Sequence, residues 1–200
     1  MSKHIRTSQT CLAVLKHNEK LYFAGDRRIS WHFGQAQISP RPKITFRGGI
    51  LFAGTGTSVV CDTATDLFEP PKFLKNEDTY IYANKKLLPA YIKHMRKTGW
   101  INKNEFRLAK NGDGTDLSAT ILVGIGKDLY ELDVSPDLIA IGPISTPFAA
   151  GCGGSLAWGA LLALEKVAPD MSPETKLKLA LQAAAEVSPG CDSNIDILHN

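Results

Sequence analysis

Three side chains in this sequence could do chemistry together: Thr10, Asp26 and Lys43. Thr10 opens an apolar run, Cys11-Leu12-Ala13-Val14-Leu15. A polar turn, His17-Asn18-Glu19-Lys20, separates it from a second run, Leu21-Tyr22-Phe23-Ala24, which ends in Gly25-Asp26. Two short apolar runs about a polar turn predict a β-hairpin. A hairpin brings its ends together, so the Thr10 hydroxyl is expected beside the Asp26 carboxylate. Lys43, in Pro42-Lys43-Ile44-Thr45-Phe46, is the candidate cation for both. A hydroxyl is a poor nucleophile until a base takes its proton, and a nearby cation stabilises the charge that then develops.

Taken singly, each residue also has a structural reading. Thr10 could open an edge strand, Asp26 could form an Asx turn at a strand end, Lys43 could be a surface lysine, and Gly54 could mark a turn. Cys11 follows Thr10 directly, and strand alternation turns it to the opposite face, where a core role is expected.

The order and spacing of several short motifs resemble the proteasome β-type fold, and within it the HslV peptidase branch of the N-terminal-nucleophile hydrolases. The motifs are Thr10-x-x-x-Val14, Ala24-Gly25-Asp26, Lys43, Ala53-Gly54-Thr55-Gly56, Asp137-Leu138-Ile139-Ala140-Ile141-Gly142 and Ala150-Gly151-Cys152-Gly153-Gly154. The resemblance covers most of residues 10–198 and is faint over 27–41, 70–115 and 143–149. It implies an α/β (α+β) fold, a four-layer α/β/β/α sandwich forming one domain over residues 10–200. Residues 1–9, polar and without periodicity, are then a leader or propeptide.

For chemistry, the resemblance implies a self-compartmentalising threonine peptidase. Thr10 would be the nucleophile once the Gln9–Thr10 bond is broken, with its own freed α-amine as the base. An α-amine titrates near ~8, and Lys43 would lower that value while Asp26 orients Lys43. The Gly54 backbone N–H would supply the oxyanion hole. Cys152 would be an auxiliary residue where relatives carry a serine, a weaker hydrogen-bond partner than a hydroxyl. An auxiliary acid and hydroxyl near the C-terminus match either Glu186 with Ser188 or Asp192 with Ser193. The implied partners are a polypeptide substrate, copies of the same chain in a homo-oligomeric ring, and an AAA+ unfoldase. No metal or organic cofactor is implied. Two other readings stand beside this one. One is a proteolytically inactive assembly protein of the same fold, motivated by the leader, Gln9 and Cys152. The other is a small-molecule amidase, since fold does not dictate substrate.

Composition narrows the classes. With 23 basic and 20 acidic residues the net charge is +3, too mild by itself to imply nucleic-acid binding. The basic stretch from Lys85 to Lys97 reads as the solvated face of a helix. The run from Leu156 to Leu164 is too short for a membrane span, and residues 1–6 lack the apolar region of a secretory signal. Cysteines 11, 61, 152 and 191 have no short paired spacing, so neither a zinc knuckle nor a disulfide framework is expected, which favours the cytoplasm.

The elements that must position the candidate residues can be read in order. A strand pair is expected at Ile29 to Phe33 and Gln37 to Ile38. A hairpin is expected through Gly48-Gly49, joining Ile44-Thr45-Phe46 to Ile50-Leu51-Phe52-Ala53. Helices are expected over Thr57 to Phe68 and about Thr79 to Lys97, the latter disturbed by Pro89. Asn111 to Gly114 reads as a loop. Leu117 to Ile125 and Leu129 to Val134 form a central hairpin buried on both faces. Two helices follow, Ser155 to Val167 and one opened by Ser172-Pro173-Glu174. Ile195 to Leu198 is the last strand.

Overall fold

After a two-residue strand, β1 (Thr7–Ser8), the chain forms the expected hairpin. Strands β2 (Cys11–His17) and β3 (Lys20–Asp26) pair antiparallel, with Leu12 opposite Gly25 and His17 opposite Lys20. The turn residues Asn18 and Glu19 both have positive φ, 48° and 60°, which matches the twist of the strands they join. The computed structural model describes residues 7–8, 10–30, 36–74, 76–101, 110 and 117–200. Residues 31–33 of the next expected strand and the loop at 111–114 lie outside the described residues.

Strand β4 (Arg28–Ser30) pairs with β5 (Ala36–Ile38). β6 (Ile44–Arg47) and β7 (Ile50–Thr57) form the second hairpin through Gly48 and Gly49. β8 (Ala119–Ile125) and β9 (Asp128–Ser135) form the central one. β10 (Leu138–Ile144) and β11 (Phe148–Gly151) were not assigned from the sequence. Leu138-Ile139-Ala140-Ile141 gives no alternation, and Pro143 and Pro147 interrupt the residues after it. β12 (Ile195–His199) closes the set. The strands form two antiparallel sheets. One has eight strands in the order β10-β9-β8-β7-β1-β4-β5, with β6 on β7; the other has four, β11-β2-β3-β12.

Helix α1 (Ser58–Asp62) runs into a π-helical turn at Thr63–Leu67, as expected for this segment. The helix expected from Thr79 to Lys97 is helical throughout but in three parts. They are α2 (Thr79–Tyr82), a π-helical turn at Ala83–Leu87, and α3 (Leu88–Lys97) with Pro89 in its first turn. Proline has no N–H to give and its ring crowds the carbonyl one turn back; the widened turn before it accommodates both. Asp78 caps α2 by accepting from the Ile81 N–H at 2.8 Å. α4 (Gly154–Val167) and α5 (Pro173–Val187) follow, α5 capped by the Ser172 hydroxyl, which accepts from the Thr175 N–H at 3.2 Å.

Three separate cores account for four layers. Alternation along β2 sends Cys11, Ala13 and Leu15 to one face, where they meet Ala157, Leu161, Leu177 and Leu181 of α4 and α5. It sends Leu12 and Val14 to the other face, where with Leu21 and Phe23 they pack on Leu51, Ala53 and Leu122 of the large sheet. The far face of the large sheet, with Phe52, Ile121 and Val123, is covered by Val60, Leu87, Tyr91 and Met95. The layers are therefore helices, small sheet, large sheet, helices: the expected α/β/β/α sandwich. Each fully buried Leu, Phe or Val contributes about 1.5–3 kcal/mol of transfer free energy. Lys85, Lys86, Lys93, Arg96 and Lys97 are exposed, as a solvated basic face requires. Among the described residues no helix is long and apolar enough to cross a membrane.

Candidate active site

The site forms where the chain passes between the two sheets. Thr10 links β1 of the large sheet to β2 of the small one. Sixteen residues on, the chain returns through Asp26 and Arg27 from β3 to β4. Because β2 and β3 pair along their length, the two crossings lie side by side at one end of the sandwich. Lys43 immediately precedes β6, whose Ile44 is opposite Ala53 in β7. Its side chain reaches back between the crossings.

The Lys43 ammonium donates to the Thr10 hydroxyl oxygen at 2.8 Å, to Asp26 Oδ1 at 2.9 Å, and to the Arg28 carbonyl oxygen. These are three acceptors around a group that carries three N–H donors. Thr10 and Asp26 are fully buried, and the Lys43 side chain is 9% exposed. Asp26 is held further by two backbone donors. The Cys11 N–H reaches Oδ1 at 3.0 Å and the Asp192 N–H reaches Oδ2 at 3.1 Å. Burial raises the pKa of the Asp26 carboxyl above the ordinary aspartate value, while Lys43 and the two N–H groups pull it the other way.

Gly54 lies on β7 opposite Ile121 of β8. On the other edge of β7, β6 pairs as far as Ala53 and β1 begins at Gly56, so Gly54 and Thr55 fall between the two pairings. Gly54 and Lys43 line one cavity of about 340 Å³, with Pro42, Ser58, Cys61 and Thr65 in its wall. A Cβ on Gly54 would stand 2.8 Å from the Cys61 Cβ, so helix α1 packs too closely for any side chain there.

Cys152 touches the nucleophile candidate through its backbone: the thiol donates to the Thr10 carbonyl oxygen at 3.4 Å. All five predicted residues are thus placed. Thr10, Asp26 and Lys43 are in direct contact, Cys152 backs the Thr10 main chain, and Gly54 lines the adjoining cavity. Near the C-terminus, one member of each candidate pair approaches the site. The Ser188 carbonyl oxygen accepts from the Cys191 N–H at 3.1 Å, and the Asp192 N–H holds Asp26, whereas Glu186 and Ser193 are exposed. Asp192 Oδ2 is buried without a hydrogen-bond partner among the described residues.

Sequence reasoning missed three contributors. Two are the backbone N–H groups of Cys11 and Asp192. The third is Gly151, which has φ of 93° and pairs opposite Cys11; a Cβ there would lie 2.0 Å from the Thr10 carbonyl oxygen. The signal for Gly151 was the glycine-rich run 151–154, whose reason is this close approach.

The arrangement can stabilise negative charge on the Thr10 oxygen. Among the described residues it has no base for the Thr10 proton, because Lys43 is the donor to that oxygen and Asp26 is engaged with Lys43 and two N–H groups. Preceded by Gln9, Thr10 has an amide nitrogen, which cannot serve either.

No family model matches this chain, and no curated protein sequence does. Solved structures match it in fold. Thiobacillus denitrificans BPH in complex with epoxomicin superposes with a TM-score of 0.69 at 17% identity, over 95% of this chain and 97% of that one. A second structure of Thiobacillus denitrificans BPH gives 0.66 at 18%, over 96% and 97%. Eukaryotic HslV from Trypanosoma brucei gives 0.59 at 17%, over 95% and 98%. The sandwich of this chain is therefore a proteasome-like, HslV-type fold.

Proposed function

We propose that this chain is a threonine peptidase of the HslV and proteasome type, active once the Gln9–Thr10 bond is broken. The observation that carries the reading is the Lys43 ammonium, bonded at once to the Thr10 hydroxyl and to the buried Asp26. Such a cation favours a Thr10 alkoxide and lowers the pKa of any amine beside it. Cleavage before Thr10 would supply that amine.

The steps follow from the chemistry of the groups. The neutral α-amine takes the proton from Thr10 Oγ1, and the oxygen attacks the scissile carbonyl. The developing oxyanion accepts a hydrogen bond from the Gly54 N–H. The tetrahedral adduct collapses, the leaving amine takes the proton from the α-ammonium, and an ester to Thr10 remains. Water, deprotonated by the same α-amine, hydrolyses that ester and restores Thr10. The cavity beside Lys43 and Gly54 receives the substrate side chain next to the scissile bond. Cys152 steadies the Thr10 main chain. In this reading residues 10–200 act as one domain after removal of 1–9. Copies assemble into a closed ring, an AAA+ unfoldase feeds it polypeptide, and the work is done in the cytoplasm without metal or organic cofactor.

A protein engineered to begin at Thr10 tests the reading. Incubated with epoxomicin, the ligand of the similar BPH structure, it should gain one inhibitor mass on the peptide starting at Thr10, and it should hydrolyse unfolded polypeptide. No adduct and no hydrolysis would refute it.

A second reading, a proteolytically silent assembly protein, is favoured by one observation: a thiol at 3.4 Å, not a hydroxyl, supports the Thr10 carbonyl. It forms the same ring and fails both assays. Hydrolysis of short N-acyl amides without hydrolysis of polypeptide would instead identify an amidase.

A further inference from the structure

We propose that Cys152 and Cys191 form a dithiol site behind Thr10 that closes to a disulfide when a low-molecular-weight disulfide is the oxidant. The two sulfurs are 3.7 Å apart, and a disulfide needs them at about 2.05 Å. Cys152 sits in the exposed turn between β11 and α4, and Cys191 is buried in the segment joining α5 to β12. The accessible thiol can therefore meet the oxidant and the sheltered one can resolve it. A third thiol, Cys11, is buried in the same core cluster as Cys191. Gly153 leaves room for the neighbouring thiols: a Cβ there would stand 2.4 Å from Cys191 Sγ and 3.1 Å from Cys11 Sγ.

The reaction balances as two exchanges. The Cys152 thiolate attacks one sulfur of the oxidant, a mixed disulfide forms and one thiolate leaves. The Cys191 thiolate then attacks Cys152 Sγ and expels the second. The protein loses two protons and two electrons, and the oxidant becomes two thiols. The hydrogen bond with Cys11 raises Cys191 to about 11, and that with Cys191 raises Cys152. Exchange should therefore accelerate about tenfold per pH unit through the neutral range, as the thiolate fraction grows.

The site is wired to the chemistry at two points. Oxidation consumes the S–H that Cys152 donates to the Thr10 carbonyl oxygen. It also pulls on Cys191, whose neighbour Asp192 holds the Asp26 carboxylate through its N–H. An effect on activity rests on the peptidase reading; formation of the bond does not.

Reduced full-length protein is incubated with oxidised glutathione at pH 7 and pH 8, blocked with N-ethylmaleimide and digested with trypsin without reduction. Each cysteine falls on its own peptide: Cys11 on 7–16, Cys61 on 48–72, Cys152 on 128–166 and Cys191 on 179–200. The expected product is 128–166 joined to 179–200, formed faster at pH 8, with two of the four thiols lost. In Cys191→Ala, glutathione should remain trapped on Cys152. Four intact thiols, a Cys11–Cys191 link, a link between copies, or glutathione retained on wild-type Cys152 would each overturn the proposal. In protein beginning at Thr10, epoxomicin labelling should fall on oxidation and return on reduction. Absence of labelling in both states counts against the peptidase reading and leaves the peptide map as the test of the disulfide.

Discussion

Replacing Lys43 by Met keeps most of the side-chain volume and removes the charge, so the result measures the ion pair. Lys43 and Asp26 are paired at 2.9 Å with side chains 9% and 0% exposed. Removing one partner of a buried pair costs about 3–5 kcal/mol, because the other charge stays buried. Asp26 keeps the Cys11 and Asp192 N–H groups and can take up a proton, which places the loss near the lower bound, about 3 kcal/mol at pH 8. With a urea m-value of about 2 kcal/mol per molar, the unfolding midpoint should fall by about 1.5 M at unchanged m, followed by tryptophan fluorescence.

The loss has a defined pH dependence. Burial already raises Asp26 in the wild type, and Lys43 is the largest opposing influence, so its carboxyl in Lys43→Met titrates higher still. Between the wild-type and variant pKa values the folded variant holds a proton that the folded wild type has released. Relative to wild type the variant therefore loses stability as pH rises through that window, by up to about 1.4 kcal/mol per pH unit. Below the window the lost contacts to Thr10 and Arg28 remain. Adding Asp26→Asn should recover most of the deficit, since no unpaired charge is left. A midpoint shift under about 0.5 M at pH 8, or a deficit constant from pH 5 to 8, would refute the buried-pair reasoning.

Gly151→Ala forces a Cβ to 2.0 Å from the Thr10 carbonyl oxygen at φ of 93°, and should cost at least about 3 kcal/mol in urea unfolding from strain and overlap together. Gly49→Ala, also at positive φ but with open space around it, should cost only about 1 kcal/mol; equal losses would show that close approach is not what selects Gly151. Ser172→Ala removes the cap of α5 and should lower stability by about 1 kcal/mol, with Ser172→Asp restoring it; an unchanged midpoint in Ser172→Ala would deny the cap its role. Cys152→Ser, in protein beginning at Thr10, replaces a weak donor to the Thr10 carbonyl oxygen by a strong one and should raise the rate of epoxomicin labelling; a slower rate would contradict the supporting role.

What the sequence determined by itself is local. Leu12 and Val14 alternate with Cys11, Ala13 and Leu15, so β2 had to serve two cores at once. The turns at Asn18-Glu19 and Gly48-Gly49 and the cap at Ser172-Pro173 act over a few residues, and they stand where expected. The hairpin then brought Thr10 toward Asp26 without further information. Lys43 was legible from its type, its place before an apolar strand and the motif order.

The rest depended on contacts between segments far apart in the chain. Strand β11 joins β2 in the small sheet, although β10 just before it belongs to the large one. That choice is made by which edge is free, which alternation cannot encode. Cys11, Cys152 and Cys191 meet because β2, the turn before α4 and the segment after α5 converge. The Asp26 carboxylate is held by the N–H groups of Cys11 and Asp192. Nearly every residue type carries that group, so residue identity gives no sign of it, and only the packed backbone decides which two N–H groups point at the buried charge.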